Sequence, residues 1–442
     1  ALTVAEGQEL LGVNFVTQTR TVSAPNATVP AHALTAAGTE TNIDLVLSQK
    51  GTGGIIASVP AATLLGGNKR GDNAVDLQQV RAVITQVASG VCSVIAGGSR
   101  NTASKSYCVV GGGYFNNIAT TGINGINTIG GGSTNSITGN TDFSTIAGGQ
   151  GNSISKSGAT IGGGTSNQAS GLYSTVCGGT ANKASGSYAF TGGGTVCYAT
   201  GNYSVASGGG TNTAGGDYSV VGGGNLNTTG GSGYGVVCGG KSNSASSYAA
   251  VLGGLSNGAS GTCSSVLNGT ENTALGQYSI VSGCGAGNRY LSGARIHSSK
   301  SADSTGDNQV VEYTVYNTTA NATPTLLGPS GAVSSYSNIL TFWLETNSFI
   351  KFAATFVARS TTGWAIWEVI GYASKGTTEI STAFIGTPTV TKVASSGTGS
   401  TYDVAPVIYN GLHGLLTWQG TGNASETVKW KGEIRIFEAN FT

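Results

Sequence analysis

Cleavage of a sugar chain needs two carboxyl groups at a set separation across one glycosidic bond, so the acids are the first residues to place. In the glycine-rich middle of the chain Asp142, Asp217 and Glu271 lie far apart. The last third offers Glu345, Glu368, Glu379, Asp403 and Glu426 in no recognisable pairing. The three histidines, His32, His297 and His413, are isolated from one another. One could hold a metal on a threefold axis, but a lone histidine is more commonly a surface or core residue. The seven cysteines form no Cys-x-x-Cys pair, and Cys177 and Cys238 precede Gly-Gly steps. They read as small buried hydrophobes rather than bridges or zinc ligands. No Gly-Lys-Ser/Thr follows the glycine runs, so the parts of a phosphate loop are missing. Arg70-Gly71-Asp72 matches the integrin tripeptide, and chance explains it better. Asn-X-Ser/Thr triplets such as Asn26-Ala27-Thr28 are expected by accident in so polar a chain. The sequence thus predicts no catalytic activity, no cofactor and no metal.

Binding is the chemistry that remains. Aromatic rings with a polar tip stack on sugars, and Trp364, Tyr402, Tyr409, His413 and Trp418 are the candidates for a receptor site at a loop edge. Strands must position them. In Gly363-Trp364-Ala365-Ile366-Trp367-Glu368-Val369 the period of two puts Trp364, Ile366 and Glu368 on one face and the core set Ala365, Trp367 and Val369 on the other. The same rule, applied to Lys429–Ile436, buries Trp430, Ile434 and Ile436 and exposes Lys429, Lys431, Glu433 and Arg435.

With 74 Gly in 442 residues, 9% charged residues and a net charge of +1, the composition disfavours an ordinary single-core fold. It carries no electrostatic footprint for nucleic acid. No stretch approaches 18 apolar residues and no basic segment opens the chain, so neither membrane insertion nor a signal peptide is expected. Texture divides the chain into 1–65, β-leaning; 66–90, a junction that fits helix or strand equally; 91–293, glycine-rich repeats; and 294–442, with all five tryptophans.

The repeats have a period of about 15 residues: glycines, an Asn three positions after the last of them, then Gly, Tyr-Ser and a short apolar run. The recurring asparagines are Asn101, Asn117, Asn135, Asn152, Asn167, Asn182, Asn212, Asn227, Asn243, Asn257, Asn272 and Asn288, with Cys197 in one copy. Glycines supply positive φ at one corner, and Asn suits the next turn through its tolerance of the left-handed region. Two short strands and two corners make one coil of a parallel solenoid, with Asn and Ser laddered from coil to coil. Stacking at roughly 4.8 Å per coil gives a rod on the order of 60 Å. So narrow a coil encloses little core, while Val109-Val110, Val220-Val221 and Val236-Val237 point to both faces. The outward members need a cover, which a parallel homotrimer supplies.

The repeats resemble the head of trimeric autotransporter adhesins, which implies a left-handed parallel β-roll trimer. The whole chain is similar to bacteriophage tail-fibre and receptor-binding proteins, especially of viruses infecting cyanobacteria. This second resemblance rests on Asn42–Gly53, on Gly66-Gly67-Asn68-Lys69-Arg70-Gly71 with Ala74–Gln78, and on the closing Thr427-Val428-Lys429-Trp430. Neither the coiled-coil stalk and membrane barrel of an autotransporter nor a cleavable chaperone domain is evident. The expected fold is all-β: a trimeric β-roll between an N-terminal attachment region and a C-terminal β-sandwich tip. The resemblance implies a virion-surface fibre that joins other virion proteins through its N-terminal region and adsorbs to host surface glycan or protein. The rivals are a capsid or collar decoration fibre, an adhesin on the extracellular cell surface, and a glycan-depolymerising tailspike.

Overall fold

The structure, a computed structural model, describes residues 16–21, 31–36, 51–123, 125–287, 291–298, 309–320, 325–327, 342–343, 348–375, 382–409, 415–424 and 426–440. It falls into two units, Ala1–Ile55 and Ile56–Thr442. In the first, Val16–Thr21 pairs antiparallel with Ala31–Ala36, Val16 opposite Ala36. The second is a parallel β-solenoid that runs into a β-sandwich.

One coil shows how the repeat folds. Thr160–Ile161 forms the first short strand and Gln168–Ala169 the second. In each, the second residue points inward and is fully buried. Thr160–Ile161 continues onto Thr175–Val176 of the next coil, and Gln168–Ala169 onto Lys183–Ala184. A third column of single bridges, through Gln150, Thr165 and Thr180, runs beside them. These steps are parallel and in register, so the sequence period becomes a spatial one.

The glycine corner is fixed by crowding. Gly149 has φ +90°, and a Cβ there would lie 2.2 Å from the Gly164 carbonyl oxygen of the next coil. Its neighbour Gly148 has open space around it. The asparagine after the corner does not adopt the left-handed conformation expected of it. The residue before it does, as in Ser166 (φ 57°) and Ala181 (φ 55°). Asn167 is instead a buried cross-coil clamp. Its Nδ2 donates to the Gly163 carbonyl at 2.8 Å and the Gly179 carbonyl at 2.9 Å, and its Oδ1 accepts the Asn182 N–H at 2.9 Å. In one repeat the clamp is Asn116, not Asn117: Asn116 is buried and accepts the Asn135 N–H, whereas Asn117 opens a strand. The glycine spacing itself selects Asn116. Asn288 lies outside the described residues. Gln78 completes the column at its start, accepting the Asn101 N–H at 2.8 Å.

A second left-handed position is aromatic in most coils. Tyr173, Tyr188, Tyr203, Tyr218, Tyr234 and Tyr248 all have φ between 54° and 61°. Their rings form a column with centroids 4.9–5.2 Å apart and planes within 14° of parallel. A left-handed residue costs roughly 1–2 kcal/mol. Stacking returns about 0.5–1.5 kcal/mol per pair, so the column is close to balanced by its own contacts. The strain also reverses an amide: Tyr188 donates backward to Leu172 at 2.7 Å, where Thr175 donates forward to Ala189.

The junction forms no helix. Val75–Asp76 is already a strand of the first column, paired with Val94–Ile95. Asp76, fully buried, accepts from Arg70 at 2.8 Å and Arg81 at 3.3 Å. Other guanidinium N–H groups bond the carbonyls of Asn68, Leu65 and Gln86. Arg70 is therefore committed to the fold, and the integrin-like tripeptide presents no arginine. Among the described residues no cysteine is bridged; Cys108 and Cys197 are buried, but Cys177, Cys238 and Cys263 are exposed. The expectation of buried cysteines holds for Cys108 and Cys197 and is corrected for the exposed three: Cys177 and Cys238 stand before Gly-Gly at an outward position, and Cys263 takes the exposed left-handed position held elsewhere by tyrosine.

At its C-terminal end the first column changes sign. Arg295–Ser298 pairs parallel with Ile280–Cys284 and antiparallel with Gln309–Thr319. One sheet of the sandwich then runs through Gln309–Thr319, Val428–Asn440, Ser348–Arg359, Gly363–Lys375 and Thr389–Gly397. The other holds Thr325–Leu327, Phe342–Trp343, Asp403–Tyr409 and Leu415–Thr421. The core between them is aromatic: the Trp418 ring lies 5.6 Å from Phe352 and 5.1 Å from Phe356, and Trp367 stacks on Trp430 at 5.5 Å. Trp418 Nε1 donates to the buried Tyr313 hydroxyl at 3.2 Å. The alternation read from Gly363–Val369 and Lys429–Ile436 holds, with Trp367, Trp430, Ile434 and Ile436 buried.

Candidate functional site at the sandwich tip

Strand register locates one end of the sandwich strands. Arg295, next to the last coils, pairs with Glu312, and six residues later Thr318 pairs with Lys429. At about 3.3 Å per residue that row lies roughly 20 Å along the strands from Arg295. Lys429 pairs onward with Arg359, and Arg359 with Trp364. Thr318, Lys429, Arg359 and Trp364 all face outward and are exposed, Trp364 by 40%.

Turns close this end with hydroxyls. Between Arg359 and Gly363, the Ser360 hydroxyl accepts the Thr362 N–H at 3.0 Å and the Gly363 N–H at 3.1 Å, which fixes the hairpin. The short 3-10 turn Thr398–Thr401 packs beside it, and the Thr398 and Thr362 hydroxyls are 2.8 Å apart. Both threonines and Ser360 donate to Oε1 of Glu426, Thr398 at 2.9 Å. The Tyr402 hydroxyl completes the cluster, 2.8 Å from Ser360. Those hydroxyls, Ser360 first and Thr362 next, hold the Glu426 carboxyl down at about 2, against an ordinary 4.5.

The five residues expected to meet a receptor are not equivalent here. Trp364 offers an exposed ring. Tyr402 and Trp418 are buried to within 1% and are corrected to core residues, because both sheets close over their rings. His413 and the side chain of Tyr409 lie outside the described residues. Arg359 and the hydroxyl cluster were not singled out from sequence; a strand end followed by Ser-Thr-Thr-Gly is the only signal they left.

Farther along the same strands the outer face carries a groove lined by Thr355, Glu368, Glu433 and Arg435. Thr355 pairs with Glu433 on one side and Glu368 on the other. Two strand spacings put the backbones of the two glutamates about 10 Å apart. Lys431, 2.8 Å from Glu433, bonds that carboxyl and keeps it below the usual range. A second groove of about 410 Å³ lies at the junction, where His297 Nδ1 is 3.1 Å from the Ser282 hydroxyl. Among the described residues no group of His, Cys, Asp and Glu is placed to hold a metal.

No family model matches the sequence, and neither does any curated protein. Among solved structures, the chain is similar to a tailspike protein of the Acinetobacter baumannii bacteriophage Fri1, described as a capsular polysaccharide depolymerase. Identity is 9%, 96% of each chain is covered, and the TM-score is 0.19. So low a TM-score transfers no residue role or activity to this chain. It does stand against the flat expectation of a protein that is not an enzyme, and that expectation is withdrawn.

Proposed function

We propose that the chain is a bacteriophage virion fibre that contacts the host cell surface through one end of its sandwich strands. The observation that carries this reading is the exposed Trp364 ring, set among hydroxyl-rich turns at one end of the sandwich strands. In this reading 1–65 attaches to other virion proteins, 66–90 starts the coils, 91–293 is a shaft and 294–442 is the tip. Three parallel copies share the outward residues of the first strand column, such as Val205, Val220 and Val236, each half-exposed beside its buried neighbour. Three tips then bind together, multiplying weak single contacts. The test is adsorption of purified protein to candidate host cells. Trp364→Ala should abolish it while leaving the thermal transition in place; unchanged adsorption removes the tip from the reading.

A second reading, a glycan-depolymerising tailspike, is favoured by Glu368 and Glu433 facing one groove across Thr355. An inverting pair is about 6.5–9.5 Å apart between carboxyl groups, a span compatible with that placement. Glu433, kept ionised by Lys431, would be the base and Glu368 the acid. Release of reducing ends from host polysaccharide, lost in Glu368→Gln, supports this reading; no release from a polysaccharide that the protein binds removes it.

A further inference from the structure

Two cations on the outer face of the sandwich sheet have an anion: Arg435 lies 3.1 Å from Glu312, and Lys431 lies 2.8 Å from Glu433. The tip row differs. Thr318, Lys429, Arg359 and Trp364 stand side by side across four strands, and the row contains no carboxylate. Among the described residues neither Arg359 nor Lys429 has a hydrogen-bond or ion-pair partner for its side chain, and both are exposed. The one nearby acid, Glu426, is turned into the hydroxyls of Ser360, Thr362 and Thr398. Two uncompensated cations thus adjoin one exposed indole in a chain whose net charge is only +1.

We infer that this row takes a carboxylate-bearing polysaccharide. The inference rests on the host-contact reading and adds the chemical class of the ligand. A guanidinium fork matches a carboxylate with two parallel hydrogen bonds, and a lysine beside it supplies a point charge. The indole offers its apolar face to the sugar ring between charges. Adjacent strands are about 4.8 Å apart, so Lys429, Arg359 and Trp364 span roughly 10 Å, enough for about two sugar units. Threonine and serine hydroxyls at the same edge suit the remaining sugar hydroxyls.

The experiment uses the full chain and three immobilised polymers: polygalacturonate, its highly methyl-esterified form, and neutral dextran. Binding to polygalacturonate is expected to exceed binding to the other two by at least tenfold and to weaken as salt rises from 0.05 to 0.5 M. The double variant Arg359→Gln/Lys429→Gln should lose that preference, while Arg435→Gln, in the paired row, should keep it. Equal binding to ester and acid overturns the acidic ligand class but leaves glycan contact standing. Equal binding to a DNA duplex also overturns it, since charge alone would then suffice. Binding to none of the polymers by protein that still adsorbs to cells overturns the inference alone; failure on cells as well removes the host-contact reading with it.

Discussion

The coils and the sandwich bury their side chains by opposite means. A coil of about 15 residues has room for one aliphatic residue from each strand, an Asn and a Ser, and nothing larger than isoleucine is fully buried there. Half of that interior is polar, and most of its polar atoms bond a neighbouring coil or their own corner, as when Ser174 donates to the Gly171 carbonyl at 2.8 Å. The sandwich encloses Trp367, Trp418, Tyr402, Phe352 and Phe356 between two sheets. Sheets packed face to face stand about 10 Å apart, which leaves room for rings. In the coils, then, backbone geometry and amide bonding decide stability, and in the sandwich ring volume does. Repetition compensates for the thin core, because each coil is stabilised chiefly by its two neighbours.

Adding a single methyl group should separate the regions most sharply. Gly149→Ala places a Cβ 2.2 Å from backbone of the next coil and is expected to cost at least ~4 kcal/mol, whereas Gly148→Ala, one residue away in open space, should stay within about 0.5 kcal/mol. Chemical denaturation of the pair checks this; equal effects would mean that coil spacing yields easily. In the sandwich the counterpart is removal of volume. Trp418→Ala should cost about 4 kcal/mol and leave the coils' amide protection from hydrogen exchange largely intact.

Polar deletions come next. Asn167→Ala strips the Asn182 N–H and the Gly163 carbonyl of their partner and takes one of two donors from the Gly179 carbonyl, for an expected loss of ~3 kcal/mol, with faster exchange confined to the adjacent coils. The converse change is informative because one coil already lacks the amide. Cys197 stands in the column with its Sγ 3.5 Å from the Gly209 carbonyl, so Cys197→Asn should stabilise by about 1 kcal/mol through a renewed bond to the Asn212 N–H. Destabilisation by that change would deny the amide column its role.

The smallest effect concerns pH at the tip. A carboxyl held at about 2 when folded and near 4.5 otherwise contributes stability above pH 4.5 and loses it as pH falls toward 2. Amides of residues 360–363 and 398–402 should therefore exchange faster across that window, relative to the coils, and Glu426→Gln should abolish the dependence. A flat profile in the unaltered protein would show that the hydroxyls do not hold the carboxylate.

Much of this was legible without coordinates. The period fixed the coil, and the period of two placed Trp367 and Trp430 inside and Lys429, Glu433 and Arg435 outside, because both are properties of consecutive residues. The left-handed residue of each corner was misassigned to Asn, since propensity favours Asn there and only the stack shows that its amide is needed between coils. Tyr402 and Trp418 lie in the core although the sequence offers them as surface aromatics, because a ring has the same composition signature whether it meets a sugar or a second sheet.

By itself the sequence determined the repeat, the all-β class and the inward or outward sense of each strand residue, all of which follow from local backbone geometry. Tertiary structure alone decided which rows stand together: that Arg359, Lys429 and Trp364, far apart in the chain, form one row without an acid, and that Glu426 is withdrawn into the turns. Cross-strand register is a non-local choice, set by the packing of two whole sheets, and no run of neighbouring residues encodes it.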